Sequence, residues 1–436
     1  GIEIDPGTIP LDDEKTYEML ARGDTVGVFQ LESGGMTRYV KELKPQDVRE
    51  LSAMVALYRP GPMEHIPRFI DTKFGRAKAE YLDERMRPIL EETYGVIVYQ
   101  DQVLKLVQAL AGFSLGKADI LRRAMGKKDI KAMNSMHGEF LAGCAERSIS
   151  AEVADKVWEM LLPFAGYAFN KAHAVCYANL AYQTAWLKAN YPVEYMAALL
   201  AVYRSKEDRV TSFIEECRRR KIPVLPPDFS LSEVDFTIEN PESLREEGKK
   251  SALMPQASIR FGLAAIKGVG DGLVQAIMAD RAENGPFRHL FEAAERSKPF
   301  GMNKTALDAL ARAGAFDSIH PNRRAVVEAV DGAIQFAENA NRSRLEGQDT
   351  LFGGADDAAQ MPAYPPLPEP PNFSRSELLA MEKDVMGIYV SDHPLRGMER
   401  QVQASSSHTC GSVAELDEGH VVRLAGVIAS LRTIVT

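Results

Sequence analysis

A mainly α protein with a small β admixture is what this sequence predicts, on three observations. From Lys15 to Lys221, apolar residues recur at helical spacing in one segment after another, interrupted by two short strand-like runs. Beyond Leu225-Pro-Pro-Asp228, two further strand-like segments precede a pair of apolar helices set around Gly268-Val-Gly270. The four cysteines (Cys144, Cys176, Cys217 and Cys410) lie far apart and without ligand spacing, so neither a disulfide framework nor a zinc module is expected to carry the fold. The 436 residues, 45% of them hydrophobic, leave ample core for several domains. No apolar run approaches the roughly 20 residues of a membrane span. No secretory leader is visible at the start, and reduced thiols in a cytoplasmic protein are expected.

The elements follow in order. Pro6 and Pro10 keep residues 1–12 extended, and Asp12-Asp13 caps a helix over Lys15–Ala21. Asp24–Gln30 has strand-like composition, and Ser33-Gly-Gly35 leads into a helix over Met36–Leu43. Another helix covers Asp47–Tyr58, with Leu51, Met54, Val55 and Tyr58 on one face. Arg59-Pro-Gly-Pro62 ends it, because both prolines lack an N–H and restrict the residue before them. Gly95–Tyr99 reads as a short apolar strand. A helix then starts near Asp101, with its stripe at Val103, Leu104, Val107, Leu110 and Ala111. Further helices are expected over Lys117–Met125, Ile130–Arg147, Ala151–Leu162, Ala174–Asn190, Val193–Tyr203 and Lys206–Lys221, with Pro192 suited to a first turn.

Past Pro227, Asp235–Ile238 and Ser258–Gly262 read as strands separated by a polar insertion. In Leu263–Ile277 a short apolar helix enters a Gly268-Val-Gly270 turn and a second leaves it, a pattern that resembles the helix-hairpin-helix motif. Such glycines, with Lys267 beside them, bring backbone N–H groups toward a phosphate at a helix N-terminus. The grip is on the duplex backbone and not on base identity. Met302–Phe316, with Asn303, Leu307, Leu310 and Gly314, reads as a degenerate second copy, followed by a helix near Arg323–Asn339. Met361–Pro371 holds six prolines in eleven residues, the composition of a stiff polyproline-like spacer that should not pack. Ser376–Gly387 is expected to form one helix. His420–Leu431 is β-rich and Arg432–Thr436 starts another strand, so the chain is expected to belong to a longer polypeptide.

A net charge of −9 does not by itself suit a nucleic-acid binder, but the charge is unevenly placed. Glu346–Asp384 carries eight acidic residues against two basic ones, while Lys117–Lys131 carries six basic against two acidic. In the latter stretch Arg122, Arg123, Lys127 and Lys128 flank Gly126, and Phe164–Ala174 follows as a small-residue, aromatic and amide-rich turn. Planar guanidinium forks, compact ammonium charges and a glycine that admits close approach suit phosphates. A nearby polyanion responds to this local field, not to the overall isoelectric point.

The separated motifs point to a known family. Pro10-Leu-Asp-Asp13, Val28-Phe-Gln-Leu-Glu-Ser33, Ala56-Leu-Tyr-Arg-Pro-Gly-Pro62, Tyr99-Gln-Asp-Gln102, Arg122-Arg-Ala-Met-Gly-Lys-Lys128, Phe164–Ala174, Ile266-Lys-Gly-Val-Gly270 and Ser391-Asp-His-Pro-Leu395 stand in the order of one family. The chain closely resembles, over nearly all its length, the alpha subunits of bacterial DNA polymerase III, the C-family replicative polymerases. The resemblance implies a helical fingers domain over 1–225, a β-containing linker over 226–262 and a tandem helix-hairpin-helix region over 263–340. An acidic, Pro-rich linker would cover 341–375, and 376–436 would hold a connector and the truncated start of an OB-fold. It further implies that Arg59, Arg122, Arg123, Lys127, Lys128, Tyr167, Asn170, Lys171 and His173 meet the incoming nucleotide or template. Lys267, Gly268 and Gly270 would hold duplex DNA. In Gln348-Asp-Thr-Leu-Phe352, Leu351 and Phe352 would fill a pocket of the sliding clamp while Gln348 makes polar contacts. Asp349 departs from the usual apolar second position, and Ala168 and Ala172 stand where the family often has Gly and Ser.

Nucleotidyl transfer by two metal ions needs carboxylates holding Mg²⁺ ions about 4 Å apart. The family carries these on its palm, upstream of the span matched here, and nothing in the sequence replaces them. Asp12-Asp13 reads as a cap and Asp356-Asp357 falls in the acidic stretch. The resemblance thus implies part of a DNA-directed DNA polymerase, inactive alone. Its expected partners are DNA, dNTPs, the sliding clamp, the clamp loader and a proofreading subunit, at a nucleoid-associated cytoplasmic location. The alternatives are a non-catalytic DNA-binding and clamp-docking adaptor, or an error-prone paralogue.

Overall fold

The computed structural model describes residues 3–126, 130–239, 257–345, 364–409, 413, 416 and 419–427. The chain divides into two compact units, Gly1–Tyr195 and Met196–Thr436. The division falls earlier than the boundary expected after Leu225.

The first unit is helical: α1 (Glu14–Ala21), α2 (Gly34–Leu43), α3 (Val48–Leu57), α4 (Ile66–Lys73), a single turn α5 (Arg87–Leu90), α6 (Gln100–Ala111), α7 (Leu115–Gly126), α8 (Ile130–Glu146), α9 (Ala151–Tyr167) and α10 (Lys171–Asn190). Asp13 caps α1 as expected, its carboxylate accepting from Thr16 N at 3.0 Å. The cap reaches the centre of the unit, because Asn190 Nδ2 donates to the same carboxylate at 3.1 Å. α10 is the axis. Ala174, Ala178, Ala181, Ala185 and Ala189 are all buried at helical spacing, and such small side chains let α3, with Ala53 and Ala56 buried, pack closely along it. One core surrounds α1 to α4 and α10. A second surrounds α6 to α9, with Phe140, Leu121 and Leu161 buried.

Both strands expected in this unit are absent as strands. Asp24–Gln30 is a succession of turns, and two of its carbonyls are taken by a side chain: Lys188 Nζ donates to Asp24 O at 2.9 Å and to Val26 O at 2.6 Å. Val96, Ile97 and Val98 are buried as an apolar run should be, but Tyr99 alone forms a bridge, with Phe169. Gln102 replaces the missing ladder partner, its Oε1 accepting from Val98 N at 2.9 Å and Tyr99 N at 3.0 Å. Its Nε2 donates to Thr93 Oγ1 at 2.8 Å. α9 continues beyond the expected end at Leu162, through Pro163, and α4 was not foreseen.

α11 (Pro192–Val202) begins in the first unit and ends in the second. The second continues with α12 (Glu207–Arg219), β1 (Val224–Leu225), β2 (Thr237–Glu239) and β3 (Ser258–Arg260). β3 is the central strand, parallel to β1 and antiparallel to β2. Arg204, just before α12, pairs with Asp235 at 2.5 Å and with Asp271. These pairs fasten the start of α12 to the sheet and the first hairpin, which accounts for α12 lying in this unit.

The helices that follow are α13 (Asp271–Asn284), α14 (Leu290–Ser297), α15 (Lys304–Arg312), α16 (Arg323–Glu328), α17 (Val330–Leu345), α18 (Arg375–Met386) and α19 (Glu399–Ser405). The short helix expected before Gly268 is a single 3-10 turn, Leu263–Ala265, and the helix expected over Arg323–Asn339 is broken at Ala329.

The proline-rich segment is tied down at its two ends, although none of residues 364–371 is buried. Tyr364 stacks on His289 with centroids 5.4 Å apart and donates to Glu295 at 3.3 Å. At the other end Asn322 Nδ2 donates to Pro370 O at 2.6 Å. Prolines fix the shape of the chain, and the aromatic and amide groups at its two ends supply the attachment. Residues 420–427 carry no strand, and Val421 is 93% exposed. Residues 428–436, with the rest of the expected barrel start, lie outside the described residues.

Candidate functional site

The start of α10 brings the separated motifs of the first unit together. Asn170 is the N-cap, its Oδ1 accepting from His173 N at 3.0 Å. The bridge between Phe169 and Tyr99 places this cap beside the start of α6, with Gln100 N donating to Phe169 O at 2.9 Å. An open cleft of about 960 Å³ results, lined by Gln100, Asp101 and Leu104 of α6, Arg122 of α7, and Asn170, Lys171, Ala172, Val175 and Cys176.

The cations around it are held by carboxylates. Arg122 is bonded to Asp119 through Nε at 3.0 Å and Nη2 at 2.8 Å, and Arg123 reaches the other oxygen at 2.7 Å. The bond from Arg122 holds the Asp119 carboxyl below its ordinary value. Lys171 pairs with Glu92 at 2.5 Å and lies 5.4 Å from the Tyr99 ring centroid.

The adjacent face of α10 is aromatic. Arg59 lies over the Phe169 ring at 4.2 Å, and burial lowers its pKa from the ordinary value. Phe169 meets His173 edge-on at 5.3 Å, His173 stacks on Tyr177 at 4.3 Å, and Tyr177 touches Phe29 at 5.4 Å. Residues 172 and 176 face the cleft while 173 and 177 carry the rings. At 3.6 residues per turn these rows stand about 100° apart on one helix.

The structure therefore brings Arg59, Arg122, Asn170, Lys171 and His173 to two adjoining surfaces. Arg123 sits beside Arg122 but does not line the cleft. Tyr167 ends α9, and nothing is described of its side chain. Lys127 and Lys128 lie outside the described residues. Tyr177 was missed by sequence reasoning, although its four-residue spacing from His173 is the signal that places both rings on one helical face. Asp119 and Glu92, which hold the cations, gave no signal.

In the second unit Gly268 has φ +85° and Gly270 caps α13, with nothing within 4 Å of where a Cβ would stand on Gly270. Lys267 is turned away to Glu207 at 3.2 Å and to Asp384 O at 3.2 Å. The second copy closes similarly: Gly301 has φ +94°, and Asn303 caps α15 by accepting from Ala306 N at 3.0 Å. Gln348, Leu351 and Phe352 lie outside the described residues.

Among the described residues no group of three or more His, Cys, Asp or Glu side chains could hold a metal ion, and Asp13 is engaged as a cap, so these residues do not fit a Mg²⁺ site. No helix among them is long and apolar enough to cross a membrane.

Comparison with known proteins agrees with this layout. A model of the bacterial DNA polymerase III alpha subunit finger domain matches residues 1–148, and one of the helix-hairpin-helix motif matches residues 221–326. The chain is 44% identical to the DNA polymerase III subunit alpha of Caulobacter vibrioides over 91% of its own length and 33% of that protein. It is 40% identical to that of Thermus aquaticus, over 98% of this chain and 34% of the relative. For Bacillus subtilis the identity is 38%, over 100% and 37%. The chain thus spans about a third of the length of the curated relatives it matches. With a finger-domain match, a helix-hairpin-helix match and 38–44% identity to such subunits over nearly its whole length, the chain belongs to the bacterial DNA polymerase III alpha-subunit family.

Proposed function

We propose that this span works within a DNA-directed DNA polymerase as the part that grips the incoming dNTP and the primer–template. The observation that carries this is the cleft at the start of α10, where Arg122, Asn170 and Lys171 meet. A triphosphate there gains the positive end of a 20-residue helix and competes with Asp119 for the Arg122 guanidinium. His173 and Tyr177, on the adjoining face, offer rings to the nascent base pair. The asparagine cap orients the helix and leaves its amide donors for a sugar or base edge. Preorganised donors of this kind stabilise charge that develops on transferring phosphates.

The hairpin turns at Gly268-Val-Gly270 and Gly301 are the proposed duplex grip, through backbone N–H groups. Docking of Gln348, Leu351 and Phe352 on a sliding clamp is proposed from the motif alone. Replacing Leu351 and Phe352 by Ala is expected to abolish clamp association in a titration, and persisting affinity would place the contact elsewhere.

The test of the nucleotide site is single-nucleotide incorporation by a full-length alpha subunit carrying this span. Arg122→Ala and His173→Ala are each expected to lower it by an order of magnitude or more with the fold intact. Unchanged incorporation by both would end the assignment.

A further inference from the structure

Phe29 belongs to no part of the cleft, yet the unit holds it in a defined outward position. Its neighbours Val28 and Leu31 are fully buried, while Phe29 itself is 37% exposed. The loop that carries it has no regular secondary structure and, besides its own turn bonds, is tied down by side chains from α10 and α11. Lys188, 0% exposed, donates its ammonium protons to Asp24 O at 2.9 Å and Val26 O at 2.6 Å. Thr184 Oγ1 accepts from Phe29 N at 3.1 Å, and the Tyr195 hydroxyl donates to Gly27 O at 2.7 Å. The exposed Glu32 carboxylate accepts from Gly27 N at 3.1 Å. Burying an ammonium group is costly unless its hydrogen bonds are met by fixed acceptors. Here those acceptors are the carbonyls that set the direction of the loop, which presents the phenyl ring of Phe29 outward beside Gln30.

That ring lies 5.4 Å from Tyr177, tilted 42° to it. It continues the row Arg59, Phe169, His173, Tyr177 by one member, on the side away from the guanidinium. We propose that Phe29 is a stacking residue for an unpaired base of single-stranded DNA, and that Lys188 is the positioning residue that holds it there. The inference rests on the reading that the row meets nucleobases. Every base has a π-face, so such a platform is indifferent to sequence, and its contribution does not depend on salt as phosphate contacts do.

The experiment is titration of the 436-residue chain with oligodeoxythymidylate of about a dozen nucleotides carrying one 2-aminopurine, at several salt concentrations. Phe29→Leu keeps an apolar side chain of similar reach and removes the ring. It is expected to weaken binding by about tenfold and relieve quenching of the fluorophore, with the salt slope unchanged, while Phe29→Tyr binds as the parent. Lys188→Met is expected to reproduce the Phe29→Leu loss. If Phe29→Leu binds like the parent while Tyr177→Ala weakens binding, the inference is wrong and the reading of the row survives. If neither variant changes binding, the row does not meet bases and both fall. A loss in Phe29→Leu accompanied by a shallower salt slope also overturns it, since that marks lost phosphate contacts.

Discussion

The two units present their candidate polyanion-binding groups in different ways. In the first, side chains are presented: guanidinium groups held by Asp119, an ammonium group held by Glu92, and a row of rings along α10. In the second, the cations around the hairpins are ion-paired as well, Lys267 to Glu207, Lys298 to Glu338, Lys304 to Asp331 and Arg312 to Asp384, and no row of rings accompanies the hairpin glycines among the described residues. What the hairpins offer is backbone at Gly268, Gly270 and Gly301, with little side chain in the way. On the proposed reading, the difference teaches that a basic run is not the sole guide to where a nucleic acid is held. A glycine turn at a helix start grips a regular duplex without regard to sequence. A site that must sort one nucleotide from another needs directional side chains.

The largest expected effect sharpens the contrast by separating the stability of one unit from the grip of the other. Glu382, 0% exposed, accepts from Val390 N and Ser391 N at 3.0 Å each and from Arg323 Nη1 at 3.3 Å. Glu382→Ala removes the acceptor of two N–H groups and one partner of Arg323, which keeps its pair with Asp317 at 2.6 Å, a loss of about 2–4 kcal/mol. Thermal unfolding is expected to show it in the second unit's transition, with nucleotide binding by the first unchanged.

Next come the glycines. A side chain at φ +85° is strained, so Gly268→Val is expected to cost about 1–3 kcal/mol of stability as well as duplex affinity. Gly270 has φ −88° and open space around it. Gly270→Val is therefore expected to leave the melting temperature in place while weakening duplex binding for any DNA sequence. Equal affinity of Gly270→Val and parent for a duplex would break the backbone side of the comparison.

Smaller effects belong to the carboxylates of the cleft. Asp119→Asn frees Arg122 and Arg123, and a few-fold gain in triphosphate affinity is expected in equilibrium titration. The bond from Arg122 lowers the Asp119 pKa from 3.8, so the pairing is complete above that ordinary value and is lost as pH falls through the lower, folded-state value. Between pH 8 and pH 5, a range taken well above the ordinary carboxylate pKa of roughly 4, Asp119 is expected to add no pH dependence to binding.

Much of the fold could be read from the sequence because its signals are local. Asp13, Asp47 and Ser33 cap helices where short polar side chains precede apolar periodicity, and Pro192 opens α11. The failures are those where tertiary contacts replaced a local rule. Val96–Tyr99 is apolar enough for a strand, but Gln102 and the Phe169 backbone satisfy its polar groups. Asp24–Gln30 is held by Lys188, far along the chain. The proline-rich segment is fastened by Tyr364, Asn322 and Asn372, which composition does not reveal. In the site, motif resemblance named Arg122, Asn170 and His173, the four-residue spacing to Tyr177 was legible but passed over, and the carboxylate partners required the helices to be seen in place.

The most direct test of the account is the affinity of a complementary dNTP for a full-length alpha subunit carrying this span, bound to primer–template, with and without Arg122→Ala. The cleft reading expects a loss of about tenfold or more, near 1.4 kcal/mol per decade, with duplex affinity unaltered. Identical dNTP affinity in the two proteins would contradict it.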